Sequence, residues 1–278
     1  MPVFTDQTGH SIILNKIPEK IISIVPSQTE LLYDLGLDEK VVGITKFCVH
    51  PVEWLRTKTK LGGTRQLKMD LIHKIEPDLI IANKEENTKE QVEQLAEHYP
   101  VWVSEINNLQ TAFEMIVAVG EMTGTHEKAE ELITRIKTNL AAHGILPVGY
   151  TNNVDQQTIK ANKPKTAYLI WKNPYMTVGG DTFINSMMQV AGFENIFCHL
   201  KRYPEVTIAQ LKSANCELLF LSSEPFPFKQ KHIEELRIFL PNAKIILVDG
   251  EMFSWYGSRL LYAPEYFIWL NKEISINN

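Results

Sequence analysis

Cysteine is scarce in this chain. Cys48, Cys198 and Cys216 are the three cysteines among 278 residues, too far apart for a disulfide framework or a Cys-x-x-Cys zinc site. They read as free, partly buried thiols. Long apolar runs are lacking too: 44% of the residues are hydrophobic, yet no run approaches the roughly 18 residues of a membrane-crossing helix. Positive charge is not in excess. Lys and Arg number 28 against 33 Asp and Glu, a net charge of −5, which gives nucleic acid no electrostatic foothold. No Gly-x-Ser-x-Gly, phosphate-binding loop or Gly-x-Gly-x-x-Gly occurs, so no ready-made hydrolase or nucleotide motif is present. Residues 1–10 have neither the basic start nor the apolar core of a secretory signal, and with Met1 as the native start the protein is cytoplasmic.

What the chain does have is one long helical stretch near its midpoint, residues 125–143. Ala129, Leu132, Ile133, Ile136 and Leu140 recur at three- and four-residue spacing, and Glu127, Glu130 and Glu131 load the positive end of the helix dipole. Thr125 reads as the N-cap and Gly144 as the stop. About 19 residues make a rod of roughly 28 Å, enough to bridge two small domains.

The sequence on either side looks alike. In the first half, strands are expected over 20–25, 41–45, 77–82 and 101–103. Helices alternate with them, the first entered through a capping box of Ser27 and Glu30. A Gly62-Gly63-Thr-Arg65 turn and a short helix over 69–75 intervene, and 109–123 is helical. Residues 146–165 are polar and unpatterned, a connection. The second half then repeats the order: strands over 166–170, 218–221 and 244–248, a helix over 181–192 and a last helix over 264–274. This alternation predicts an α/β lobe with a parallel sheet on each side: residues 1–107, a helical connection 108–143, and 144–278. Ligands of such sheets gather beyond the carboxyl ends of the strands.

Five segments carry a family resemblance. Ile22-Ser-Ile-Val-Pro-Ser-Gln-Thr-Glu-Leu-Leu32, Val42-Gly-Ile-Thr45, Leu61-Gly-Gly-Thr64, Glu76-Pro-Asp-Leu-Ile-Ile-Ala82 and Gly192-Phe-Glu-Asn-Ile196 resemble, in this order, motifs of the helical-backbone metal receptors. These are the class III periplasmic substrate-binding proteins of importers for vitamin B12, haem and iron-siderophores. The likeness spans nearly the whole chain and is greatest to the vitamin B12-binding branch. It implies two Rossmann-like lobes with parallel sheets joined by a single long backbone helix, a metal chelate clamped between them, and no catalysis. It also implies no intrinsic cofactor, a periplasmic location, an ABC-transporter permease as partner and a monomer. Phe47 and Trp171 match pocket aromatics of that branch, whereas Thr64 and Asn83 stand where it carries tryptophans. Its acidic permease-docking positions fall near Lys89 and Ala209, with Glu90 and Glu205 as neighbouring acids.

The residues by themselves point the same way. Strand-end loops hold Phe47, Trp171, Tyr175, Tyr203, Phe226, Phe253, Trp255 and Tyr256, flat faces suited to a macrocycle or an aryl chelate. Arg65, Arg202 and Arg259 offer fork geometry for carboxylate or phosphate, set against Glu85, Glu86, Glu224, Asp249 and Glu251. A triply anionic catecholate wants bases without nearby acids; a corrinoid, rimmed by amides and one phosphate, uses both. The expected ligand-binding set is therefore Phe47, Arg65, Glu85, Glu86, Trp171, Tyr175, Arg202, Tyr203, Glu224, Trp255, Tyr256 and Arg259, with a cobalamin-like corrinoid as ligand and haem or an iron-siderophore as the alternative. No metal ligand set is expected, since of the eight histidines only His50 sits in such a loop and none are paired at ligand spacing. A cytosolic chelatase-like enzyme also fits the architecture, with Cys48 and His50 as its best reactive pair.

Overall fold

The computed structural model describes residues 2–145 and 163–276. The polar connection expected over 146–165 lies outside the described residues as far as position 162. The chain divides into two compact units: unit 1 takes Met1–Ile106, Gln110–Lys137 and Tyr256–Arg259, and unit 2 takes Asn107–Leu109, Thr138–Trp255 and Leu260–Asn278.

Unit 1 is built on a five-stranded parallel sheet in the order Thr59–Lys60, Val41–Ile44, Ile21–Ser23, Leu79–Asn83, Val101–Ser104. From the central strand the chain winds outward to one edge and then returns to pair Leu79–Asn83 on the other side. The topological switch point lies between Ile21–Ser23 and Leu79–Asn83, where open α/β sheets place their ligands. All five residues of Leu79–Asn83 and all four of Val101–Ser104 are buried, as strands covered by helices on both faces must be. An antiparallel hairpin, Val3–Thr5 with Ser11–Ile13, forms a separate two-stranded sheet whose turn is tied to the edge strand Val101–Ser104 through Asp6 and Gln7.

Unit 2 has the same winding in fewer strands: Glu194–Asn195, Lys165–Leu169, Leu218–Ser222, Lys244–Val248, all parallel. Its switch point falls between Lys165–Leu169 and Leu218–Ser222. The core packs Ala167, Leu169, Leu219 and Leu221 against Leu211, Leu236 and Phe228, each fully buried aliphatic or aromatic chain stabilising the fold by about 1.5–3 kcal/mol. Strand Glu194–Asn195 is too short for the sequence pattern to mark.

The long helix runs from His126 to Ala142, 17 residues, and buries Ala129, Leu132, Ile133, Ile136 and Leu140 as its spacing predicts. The division between the units falls inside it, after Lys137. Gly144 follows it at φ 67°. Two local expectations are corrected. The helix over Pro26–Asp34 begins one residue before the expected cap: Val25 is the N-cap, Pro26 occupies the first turn, and no side chain caps it. Proline lacks the N–H that a cap would satisfy, so Ser27 is carried into the helix and Glu30 is released for another partner. Residues 249–256, expected as a loop, contain a short helix, Glu251–Ser254.

Candidate functional site

At the carboxyl edge of unit 1 four loops meet. The loop after Val41–Ile44 presents Phe47, 51% exposed. Its ring is seated from beneath by Gly63, where a Cβ would fall 3.2 Å from Phe47 Cε2, and Lys46 Nζ lies 5.0 Å from the ring centroid. Gly63 belongs to a tight hairpin, Gly62–Gly63 with Gln66–Leu67, which carries Thr64 and the exposed Arg65 at its tip. The Arg65 guanidinium donates to the Glu85 carbonyl at 3.0 Å, so it braces the switch-point loop.

That loop is fixed by two amides. Asn83 Oδ1 accepts from the Glu85 and Glu86 backbone N–H groups at 2.8 and 3.1 Å, and its Nδ2 donates to Ser104. Asn87 Oδ1 accepts from the Asn83 N–H, while Asn87 Nδ2 donates to the carbonyls of Ile24 and Thr64. Sequence reasoning missed both as site-builders. The signal was there: polar residues closing a fully apolar strand have buried hydrogen bonds to make. They leave Glu85 half-buried and Glu86 exposed.

Cys48, beside Phe47, is fully buried, with its sulfur 3.0 Å from Thr29 Oγ1 and 3.2 Å from Thr45 Oγ1. Burial pushes its thiol up despite those hydrogen bonds, the wrong direction for a nucleophile.

The segment Tyr256–Arg259 also belongs to unit 1. Tyr256 is 7% exposed; burial above all raises its phenol well beyond the ordinary value, with the Glu86 charge adding to the effect and a hydrogen bond with Ser27 opposing it. Arg259 grips the carboxylate released by the missing capping box: Nε and a terminal nitrogen donate to the two Glu30 oxygens at 3.0 and 2.6 Å. Burial raises Glu30 above the usual carboxylate value, and Arg259 opposes that.

At the carboxyl edge of unit 2, Trp171 is 40% exposed and meets Phe226 edge-on at 5.7 Å. Its loop is closed by bridges pairing Met176 with Trp171 and with Glu205. Tyr175 and Tyr203 are half-buried; Arg202 is exposed, at φ 58°, and its backbone N–H donates to Asp181 Oδ1 at 2.6 Å. Glu224 follows the switch-point strand Leu218–Ser222. Ser254 Oγ and Trp255 Nε1 donate to its Oε1 at 2.6 and 2.9 Å. Burial holds this carboxyl above its usual range; the two hydrogen bonds oppose that, and the Glu251 and Asp249 charges add to it. Gly250 lets the next loop pass close by: a Cβ there would lie 2.5 Å from Ser222 Oγ and 2.6 Å from Glu224 Cγ. Trp255 itself is 6% exposed.

Unit 1 thus brings together Phe47, Arg65, Glu85 and Glu86, with Tyr256 and Arg259 buried or half-buried beside them. Unit 2 brings Glu224 to Trp255, and supports Trp171 on Phe226. Among the described residues no group of three or more His, Cys, Asp or Glu is placed to hold a metal ion, and no helix is long and apolar enough to cross a membrane.

Comparison with known proteins accords with this arrangement. The family model described as periplasmic binding protein matches residues 21–237. An uncharacterised ABC transporter substrate-binding lipoprotein of Bacillus subtilis is 27% identical over 274 residues, covering 94% of this chain and 82% of that one. A vitamin B12-binding protein of Vibrio parahaemolyticus is 25% identical over 210 residues, 75% of this chain and 72% of its own. A solved periplasmic haem-binding protein in complex with two haems superposes with a TM-score of 0.75 at 18% identity, covering 92% of this chain and 97% of that one. Proteins of this family bind solutes and are not enzymes, so the chelatase-like reading falls. With two parallel α/β units and a family match over most of its length, the chain belongs to the periplasmic binding proteins.

Proposed function

We propose that this chain is the substrate-binding protein of an ABC importer for a metal chelate, with a cobalamin-like corrinoid as the favoured ligand. The observation that carries the reading is the pair of open rings, Phe47 at 51% and Trp171 at 40% exposure, one at the carboxyl edge of each unit. The other large rings of these sheets, Trp102, Tyr168 and Phe220, are fully buried. A supported ring facing water is a stacking platform worth about 0.5–1.5 kcal/mol per contact beyond its area. Exposed Arg65, Arg202 and Glu86 accompany the rings, a mixture of charges suited to a rim of neutral amides with one phosphate. Haem is the second reading, favoured by the half-buried phenols of Tyr175 and Tyr203, since tyrosine can ligate haem iron. On this reading the protein works as a monomer outside the cytoplasmic membrane and offers the exposed Glu90 and Glu205 to its permease.

The test is a titration of the purified protein with cyanocobalamin, haemin and a ferric siderophore, followed by tryptophan fluorescence. Saturation by cyanocobalamin is expected, and Phe47→Ala and Trp171→Ala should each weaken it about tenfold with little change in melting temperature. A strong fall in melting temperature would make the ring a core element. Saturation by haemin alone would favour the haem reading, and no saturable binding by any of the three would sink the receptor reading in this form.

A further inference from the structure

We infer that unit 1 carries a second, independent site: a surface site for a borderline divalent transition cation, Cu2+ above all, held by His73 and His98 and positioned by Tyr99. These histidines are 25 positions apart in sequence and no spacing rule connects them, yet their ring centroids lie 5.5 Å apart with planes at 76°. Two imidazoles on one ion, with metal–nitrogen bonds of about 2.1 Å and angles between square and tetrahedral, keep their centroids roughly 4.6–5.3 Å apart. Closing the pair onto an ion therefore takes a side-chain adjustment of well under an ångström to about one ångström.

Three further features favour a cation there. The Tyr99 hydroxyl lies 2.9 Å from His73 Nδ1; with Nδ1–H donating to the phenol oxygen, the lone pair sits on Nε2 and the ring is oriented, the outer-shell arrangement that metal-ligating histidines adopt. His73 occupies the last turn of helix Met69–Ile75, and His98 follows the C-cap Glu97 of helix Lys89–Ala96. Both thus stand at helix carboxyl ends, where the dipole favours positive charge. Finally, His98 is exposed and His73 half-buried, so an ion reaches them from solvent.

The site is separate from the proposed chelate-binding loops. Both helices lead into the amino ends of strands, Leu79–Asn83 and Val101–Ser104, so the histidines lie on the edge of the sheet opposite Phe47 and Glu86. No third His, Cys, Asp or Glu joins them among the described residues; water fills the remaining positions. That ligand set selects against Mg2+ and Ca2+, which take oxygen, and ranks Cu2+ ahead of Ni2+ and Zn2+.

The experiment is calorimetric titration of untagged protein with Cu2+ alone, read together with the nitrogen hyperfine pattern of the bound ion in electron paramagnetic resonance. One bound equivalent with two nitrogen ligands is expected. His98→Ala and His73→Ala should each weaken binding roughly tenfold or more, and Tyr99→Phe by a smaller factor with both nitrogens retained. His126→Ala, an exposed histidine elsewhere, should change nothing, and cyanocobalamin titrations should be the same with and without Cu2+. Should His73→Ala fail to fold, the exposed His98→Ala decides alone. Unchanged Cu2+ affinity and spectrum in His98→Ala overturns the inference whatever the chelate titrations give.

Discussion

The two units wind their sheets alike but lock their switch-point loops with different chemistry. In unit 1 the lock is neutral: Asn83 and Asn87 stitch the loop with side-chain amides, and Gln28 Nε2 donates to Ser104 Oγ in the same buried layer. In unit 2 the lock is a half-buried carboxylate, Glu224, clasped by Ser254 and Trp255 and crowded by Glu251 and Asp249. An amide lock holds at any pH, whereas a carboxylate held above its usual range is a lock under tension once the solution is neutral. Topology does not dictate how a loop is fixed, and the choice decides which of the two locks responds to protons.

Three substitutions break or sharpen that contrast. The largest effect is expected for Arg259→Ala, which strands the Glu30 carboxylate where both side chains are only 13% exposed. Removing one partner of a buried pair costs about 3–5 kcal/mol, to be read as a fall in the urea midpoint. A loss near zero would mean that Glu30 finds water. Asn83→Ala comes next, at about 2–3 kcal/mol, because it removes the acceptor of the Glu85 and Glu86 backbone N–H groups together with the bonds to Ser104. The amide lock predicts that this loss is the same at pH 5 and pH 8; a pH-dependent loss would undo the comparison.

The smallest effect is expected for Glu224→Gln, and it has a sign. The folded carboxyl sits above 4.5, so the native state binds more protons than the unfolded one between 4.5 and its folded value, and stability falls as pH rises through that window. The glutamine variant keeps an acceptor for Ser254 and Trp255 without the charge. It should therefore melt roughly 2–4 °C above the parent at pH 8 and converge with it as the pH drops below 4.5. A variant that melts lower at pH 8 would show that the hydrogen bonds outweigh the burial cost.

Much of the fold was legible because its signals are local. Apolar runs such as Leu79-Ile-Ile-Ala82 and the three- and four-residue spacing from Ala129 to Leu140 report burial directly. The open rings Phe47 and Trp171 were legible through resemblance as well as position. Four features were not. The capping box failed because Pro26 starts the helix without one. Glu30 finds Arg259 across 229 positions, and His73 finds His98 through the crossover of two helices, distances over which no periodicity speaks. Trp255 and Tyr256 looked like loop aromatics because burial of a polar-tipped ring depends on partners, Glu224 for one and a hydrogen bond with Ser27 for the other, that lie far away in sequence.

The four residues from Tyr256 to Arg259 have a consequence for how the protein is made. They are a part of unit 1 that the chain supplies only after nearly all of unit 2 has been passed. A chain stalled or cut between Ser104 and Tyr256 would own every strand of the five-stranded sheet yet leave Ser27 and Glu30 facing a vacancy. The first unit to be begun during synthesis is thus one of the last to be finished, and neither half of this protein can be separated from the other by a single cut.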